Sequence, residues 1–377
     1  MYLFIIYVNK ILISMSMYLP IFNKPKSVHV ELTDKCNAQC PVCVRRFNGG
    51  ELNPIIKNIE LNVNYFKTQL GREFCSNVMH WEFCGTKGDP ISCTELYEIM
   101  EYLTECQPFT YFSIHTNGGF KSVEWWSKLG KFFKNSNSYI MWGIDGLEDT
   151  NHIYRKNVKW NKVWNNLKAY NEAGGPSVWQ FLEFDHNKHQ IPEVQKICND
   201  MGIRLDIKDP VGFNYRTEPG DTHVSVSPIE VLDIEGELSY SILPKDATQE
   251  HIKIVPVDEY GRMLRRTGTK ILADLEEHYD IDCRVGVHTS DLYIDCTGAF
   301  IPCCFIGAGM HVHGVDPQLK EQFKDIESLI PSESNPPEKI FASKYFAETL
   351  PKGIKGELSD DKKYTVQCVE TCGKCLE

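Results

Sequence analysis

The sequence predicts an α/β chain, six β/α units in a partial (β/α)6 barrel followed by a small cysteine-rich α+β domain. Three observations carry this expectation. Apolar strand-like runs alternate with helix-period segments over 25–210, the pattern of βαβ units and a parallel sheet. Each candidate strand ends in a polar or Gly-rich loop. The chain holds 15 cysteines in 377 residues, and those at metal-ligand spacings lie towards its two ends.

The first stretch, 1–24, is apolar and aromatic but is interrupted by Asn9 and Lys10. It is too short and broken for a membrane span and lacks a basic start and a cleavage site. It reads as a loose extension, with Met15 and Met17 as alternative starts. The first strand is expected at 27–32, with the loop 33–43 after it and a helix at 61–70. The second unit has a strand at 78–83, the loop 85–90 and a helix at 94–106. The third has a strand at 111–115, the loop 116–119 and a helix at 123–133. A strand at 139–144, the turn Asp145-Gly146 and a helix at 160–172 make the fourth. The fifth runs through a strand at 178–185, the loop 186–189 and a helix at 192–201. The sixth strand is 204–208, followed by the loop 209–212. In such folds the reactive end lies at the C-terminal ends of the strands.

Beyond Pro210 the pattern changes. Residues 211–277 read as a connector or insertion, with turn signals at Pro219-Gly220 and Ser227-Pro228. A second domain, 278–377, follows. Short strands at 291–295 and 299–302 are joined by Cys296-Thr297-Gly298, a hairpin whose turn suits glycine.

The net charge of −11 gives no footprint for nucleic-acid backbone binding. Apolar content of 42% with 24% charged residues fits a soluble globular protein without a membrane segment. Many cysteines in a long chain point to metal sites in a reducing, cytoplasmic setting rather than to a disulfide framework. Cys75, Cys84, Cys93, Cys106 and Cys198 read as small buried apolar side chains.

The chemistry-bearing motifs follow the strands. Cys36-x3-Cys40-x2-Cys43 crowds three thiols into the first loop, enough to hold an iron–sulfur cluster with one iron left open. A structural zinc ion takes four ligands, and no fourth stands at zinc spacing beside this trio. Gly85-Thr86-Lys87-Gly88-Asp89-Pro90 follows the second strand, Thr116-Asn117-Gly118-Gly119 the third, and Gly143-Ile144-Asp145-Gly146 the fourth, with Arg155 ten residues beyond Asp145. The fifth strand ends in Glu183, Asp185, His186 and His189, which also read as a solvated loop. Asp209 is a candidate base after the sixth strand. At the far end stand Cys283, Gly298, Cys303, and the pair Cys372-x2-Cys375.

In this order the motifs resemble those of the radical S-adenosylmethionine (radical SAM) superfamily, over roughly residues 25–375. The resemblance implies a partial TIM-like barrel. It implies a [4Fe–4S] cluster on Cys36, Cys40 and Cys43, with S-adenosylmethionine (SAM) on the open iron. Reductive cleavage of SAM would give a 5′-deoxyadenosyl radical that abstracts hydrogen from substrate. Gly88 and Asp89 stand in the loop that meets the SAM amino group. Asn117 and Asp145 stand in loops that touch its ribose and methionyl parts, and Arg155 would pair with its carboxylate. Val42 stands where the family usually has an aromatic residue, and Lys87 replaces a glycine.

The spacing Cys283-x14-Gly298-x4-Cys303 resembles the opening of the twitch/SPASM domains that follow such barrels. It implies one auxiliary [4Fe–4S] cluster on Cys283, Cys303, Cys372 and Cys375, with Cys304 or Cys368 as alternative ligands. That cluster would accept an electron, making the protein an oxidoreductase or modifying enzyme. The implied partners are a peptide or small-metabolite substrate, such as a sugar, and an electron donor such as flavodoxin or ferredoxin. The competing reading is a zinc-stabilised α/β binding or scaffold protein without radical chemistry.

Overall fold

Strand β1 (Ser27–Val30) lies inside a sheet of eight strands in the order β13-β12-β1-β2-β3-β4-β5-β6. A computed structural model describes residues 24–210, 212–216, 225–246, 279–281, 283, 285, 291–310, 323–354 and 373–375. The 1–24 extension lies almost wholly outside the described residues.

Successive strands are β2 (His80–Phe83), β3 (Tyr111–Thr116), β4 (Tyr139–Gly143), β5 (Ser177–Leu182) and β6 (Arg204–Lys208), each parallel to the last. Between them lie α1 (Gly71–Asn77), α2 (Leu96–Cys106), α3 (Val123–Phe133), the short α4 (Asn151–Tyr154), α5 (Trp160–Glu172) and α6 (Ile191–Met201). One strand face carries Trp81, Phe83, Phe112, Ile114, Ile140, Trp142, Trp179 and Phe181, all at most 2% exposed. They pack on the apolar stripes of the helices. Trp126 of α3 sits 4.5 Å from Trp142, and Phe133 lies 6.0 Å from Phe112. These aromatic contacts join the helix layer to the sheet in one core.

The opposite face is polar. His29, Glu31, His80, Glu82, Ser113 and His115 alternate with the core residues along β1 to β3 and their ends. A parallel sheet buried on both faces would read as continuous apolar runs. This one alternates, so its second face lines a polar lumen. His115 on β3 feels both His29 on β1 and Lys208 on β6, three strands away, as expected of a sheet that curls.

Two helices match the expected bounds, α3 at 123–133 and α5 at 160–172. Ser122 starts α3 by accepting the Trp125 N–H at 3.3 Å, and α6 stops at Gly202 with φ +66. The helix expected at 61–70 is displaced. Leu61 N–H bonds to Leu32 O at 2.8 Å, so the helical turn starts later, at Tyr65, and α1 carries the buried stripe on through Phe74 and Cys75. The strand expected at 178–185 closes at Leu182, because the Asn187 side chain takes the Phe184 N–H at 2.7 Å and turns the chain.

The region after β6 contains β7 (Asn214–Arg216) paired with β8 (Ser225–Ser227), and β9 (Ile229–Leu232) paired with β10 (Leu238–Ile242). Within the stretch read as a connector or insertion, residues 229–242 thus form an ordered hairpin. Ile229, Val231 and Ile242 are buried, and Leu232 N–H bonds to Asn48 O at 2.9 Å. Strand β11 (Tyr279–Ile281) lies outside the eight-stranded sheet. Its partner is β14 (Gly373–Cys375) at the end of the chain.

Strand β12 (Leu292–Ile294) turns through Gly298, φ +89, into β13 (Phe300–Ile301). This hairpin, expected in the second domain, is built onto the first unit's sheet: β12 pairs parallel with β1, Val28 opposite Leu292 and Val30 opposite Ile294. Helix α7 (Cys304–Gly309) follows, and α8 (Pro337–Phe341) and α9 (Leu350–Ile354) lie beyond. Among the described residues, no helix is long and apolar enough to cross a membrane.

Candidate functional site

The loop after β1 is pinned at several points. Gln39 N–H bonds to Lys156 O at 2.8 Å, and Cys43 N–H closes a turn on Cys40 O at 3.2 Å. The sulfurs face donors. Cys36 Sγ accepts from Ala38 N–H at 3.3 Å and from Asn117 Nδ2 at 3.6 Å, and Arg155 Nη1 lies 3.9 Å from Cys40 Sγ. Burial raises the pKa of all three thiols, Cys43 to about 11, and each also feels charge on a neighbouring group. For Cys36 and Cys43 that neighbour includes Cys40. A metal centre bound here would release the thiol protons. Three soft donors with N–H groups aimed at sulfur fit an iron–sulfur cluster, whose potential depends on such hydrogen bonds. Among the described residues, no three His, Cys, Asp or Glu side chains enclose a single metal ion.

The second loop is packed backbone to backbone against the first. A Cβ on Gly88 would lie 1.8 Å from Thr33 O, and one on Gly85 would lie 2.0 Å from Gly88 O. Only glycine permits that approach. Asp89 is buried, and its carboxylate accepts from Thr116 Oγ1 at 3.0 Å, Asn117 N–H at 2.9 Å, Asn117 Nδ2 at 2.7 Å and Ile91 N–H at 3.1 Å. It therefore braces the second loop to the third. Asn117 links that brace to Cys36.

Asp145 and Arg155 are brought together. Arg155 Nε donates to Asp145 Oδ2 at 2.6 Å, and Leu182 N–H donates to Asp145 Oδ1 at 2.8 Å. Asp145 is fully buried, with its carboxylate turned to Arg155 and to the Leu182 backbone. A Cβ on Gly143 would lie 2.6 Å from Arg155 Nη2, so this glycine makes room for the guanidinium.

Lys87 turns inward. Its ammonium lies 3.5 Å from Asp295 Oδ2 in the β12/β13 turn. Glu31 accepts the Lys87 backbone N–H, the Gly88 N–H at 3.0 Å and the Tyr293 hydroxyl, while Arg45 Nη1 donates to Lys87 O at 2.6 Å. Sequence reasoning missed this network. The one signal was Glu31, a charge continuing the alternation of a buried strand.

The lumen was missed too. His80 bonds to Ser27 Oγ at 2.9 Å and Ser113 Oγ at 2.8 Å, His29 Nε2 to Cys84 O at 2.7 Å, and His115 Nε2 lies 3.5 Å from Glu82 Oε1. Burial lowers the pKa of all three histidines, with Glu82 opposing. His115 and Glu82 keep side-chain exposures of 28% and 25% in mid-sheet, so this face opens to solvent.

Other expected groups fall elsewhere. Glu183 and Asp209 both pair with Lys245, and Asp209 is 77% exposed. His186 stacks on Phe184 at 5.2 Å while His189 is exposed. Cys303 caps α7 and Cys304 opens it; both, with Cys283, are partly buried against the core. The backbone of Cys375 pairs with Tyr279, four residues before Cys283. Cys368 and Cys372 lie outside the described residues.

No family model matches the sequence. No curated protein matches it either. Several solved structures resemble it. The protein anSMEcpe with bound AdoMet is 16% identical, with a TM-score of 0.38 over 52% of this chain and 53% of that one, so the match spans about half of its length. Streptococcus suis SuiB bound to the precursor peptide SuiA is 11% identical, with a TM-score of 0.45 over 92% of this chain and 76% of that one. BtrN in complex with AdoMet and 2-DOIA is 14% identical, with a TM-score of 0.40 over 92% of each chain. With identities this low and TM-scores below 0.5, what this chain does has to be argued from its own site.

Proposed function

We propose that this chain is a radical SAM enzyme. One observation carries the reading: Cys36, Cys40 and Cys43 lie in one short loop after β1, with Ala38 N–H and Asn117 Nδ2 turned towards the Cys36 sulfur and Arg155 towards that of Cys40. A [4Fe–4S] cluster bound there would supply the electron that cleaves SAM to a 5′-deoxyadenosyl radical, which takes a hydrogen atom from substrate. The chain's own residues hold and orient. The three thiolates keep three irons and leave one open. The second loop, packed against the cluster loop at Gly88, would meet the SAM amino group. Arg155, fixed by Asp145, presents its guanidinium to the SAM carboxylate. Asp89 and Asn117 keep the second and third loops in register with the cluster loop.

The lumen supports a hydrophilic substrate, a peptide side chain or a small polar metabolite such as a sugar. His115, kept neutral and backed by Glu82, is placed to accept a proton from it. For the second cluster the proposed ligands are Cys283, Cys303, Cys372 and Cys375, supported by the β11–β14 pairing at the Cys375 backbone. That cluster would accept the substrate's electron, and flavodoxin or ferredoxin would feed the first.

Anaerobic reconstitution with iron and sulfide tests the reading. A brown protein with about eight irons per chain that releases 5′-deoxyadenosine from SAM on reduction is the expected result. A colourless protein with stoichiometric zinc and no SAM cleavage would overturn it and leave the zinc-stabilised scaffold.

A further inference from the structure

Two cysteines outside this chemistry stand side by side behind the sheet. Cys75 lies on α1 and Cys106 ends α2, two helices that pack against each other. The flanking residues hold that juxtaposition: Arg72 Nη2 donates to Glu105 O at 3.0 Å, and Gln107 Nε2 donates to Ser76 O at 2.9 Å. Cys75 is fully buried, within 3.6 Å of Phe66 O. Cys106 is 9% exposed, at the helix end just before the projecting Phe109. The neighbouring Cys75 and Tyr102 side chains, with the Arg72 guanidinium nearby, hold the Cys106 thiol below its ordinary pKa. Its small remaining exposure makes Cys106, and not Cys75, the thiol that a reagent can reach.

We propose that Cys75 and Cys106 form a reversible thiol–disulfide site whose co-reactant is a low-molecular-weight disulfide. The Cys106 thiolate attacks one sulfur of that disulfide, forming a mixed disulfide and expelling one small thiolate. Cys75 then loses its proton and attacks the Cys106 sulfur, expelling the second. The two protein thiols are oxidised by two electrons, the small disulfide is reduced to two thiols, and one protein S–S bond forms. Only Cys106 meets the reagent, because Cys75 has no exposed surface. The bond ties α1 to α2 behind β2 and β3. The inference does not depend on the radical SAM reading.

The test uses holoprotein kept free of oxygen, treated with oxidised glutathione, alkylated and digested with trypsin. Cleavage after Arg72, Lys87 and Lys121 gives peptide 73–87, with Cys75 and Cys84, and peptide 88–121, with Cys93 and Cys106. The expected product joins the two, with fragmentation placing the bond between Cys75 and Cys106 and dithiothreitol reversing it. In Cys75→Ser the reaction stops at a glutathione adduct on Cys106; in Cys106→Ser neither adduct nor link forms. Tyr102→Phe keeps both thiols and slows linking about fivefold, one hydrogen bond's worth. A bond between any other pair, or Cys106 recovered fully alkylated from treated wild type, overturns the site. An unchanged rate in Tyr102→Phe overturns Cys106 as the attacking sulfur.

Discussion

The two cysteine-bearing turns at the mouth of the sheet are fixed by different forces. In the 36–43 loop, the Ala38 and Asn117 N–H groups and one guanidinium, Arg155, point at sulfur, and the neighbouring loop meets it through backbone contacts at Gly88. In the 295–298 turn, charge does the fixing. Lys87 sits between Glu31 and Asp295, while Asp295 Oδ1 accepts Thr297 N–H at 2.8 Å and Ala299 N–H at 3.2 Å. Cys296 is buried there beside Lys87. The difference teaches that cysteine spacing does not say what a turn is for. The first turn presents thiols; the second locks a hairpin to the sheet edge.

The sharpest way to break the comparison is to remove thiols from each end. Replacing Cys36, Cys40 and Cys43 with Ala should abolish SAM cleavage, read as loss of 5′-deoxyadenosine. Replacing Cys303, Cys372 and Cys375 should spare much of that cleavage while lowering iron by about half. Equal losses from both sets would erase the distinction.

Lys87→Met attacks the charged turn. It leaves Glu31 and Asp295 buried without their cation, and an expected loss of about 3–5 kcal/mol shows in denaturant unfolding. Restoration of much of that loss by adding Asp295→Asn would confirm the electrostatic origin. A smaller effect, about 1–3 kcal/mol, is expected for Gly298→Ala. Its backbone sits at φ +89, and the new Cβ would lie 2.6 Å from the Tyr65 ring.

The lumen gives the smallest signal, through pH. His29, His80 and His115 have folded pKa values below the ordinary 6.5. Below that pH the unfolded chain therefore binds more protons than the folded one. Stability is full above about pH 6.5 and falls as pH drops towards the folded values, by at most about 1.4 kcal/mol per pH unit for each histidine. Unfolding midpoints between pH 8 and 5.5 measure the slope, and His80→Gln should flatten it. A slope that steepens instead would mean that His80 gains a proton in the fold.

Legibility followed sequence distance. Helices α3 and α5 were readable to the residue, because their apolar stripes and, for α3, the Ser122 cap are local. The glycine and cysteine positions of the first two loops were readable as well. Asp89 and Asp145 were placed in the right loops, but their orientation was not legible. Each spends its oxygens on partners that converge only in the fold: Asn117 and Thr116 for one, Arg155 and Leu182 for the other. Glu31 meant nothing alone, since Lys87 and Tyr293 give it its role. Cys75 and Cys106 looked like separate small apolar residues until α1 and α2 were packed together.

The placement of β12 beside β1 has a consequence for how the chain reaches this state. Strands β1 to β6 pair with near neighbours in sequence, each joined after one short excursion. The other edge of β1 waits for residues 292–294, and Lys26 N–H and Ser27 N–H wait for Asp291 Oδ2, at 2.6 and 3.0 Å. Closing so long a loop is slow. During synthesis most of the sheet can assemble while β1 still exposes an unpaired edge, open to another chain. A strand that arrives late thus seals β1, and a chain stopped before residue 291 should be prone to stick to its own copies.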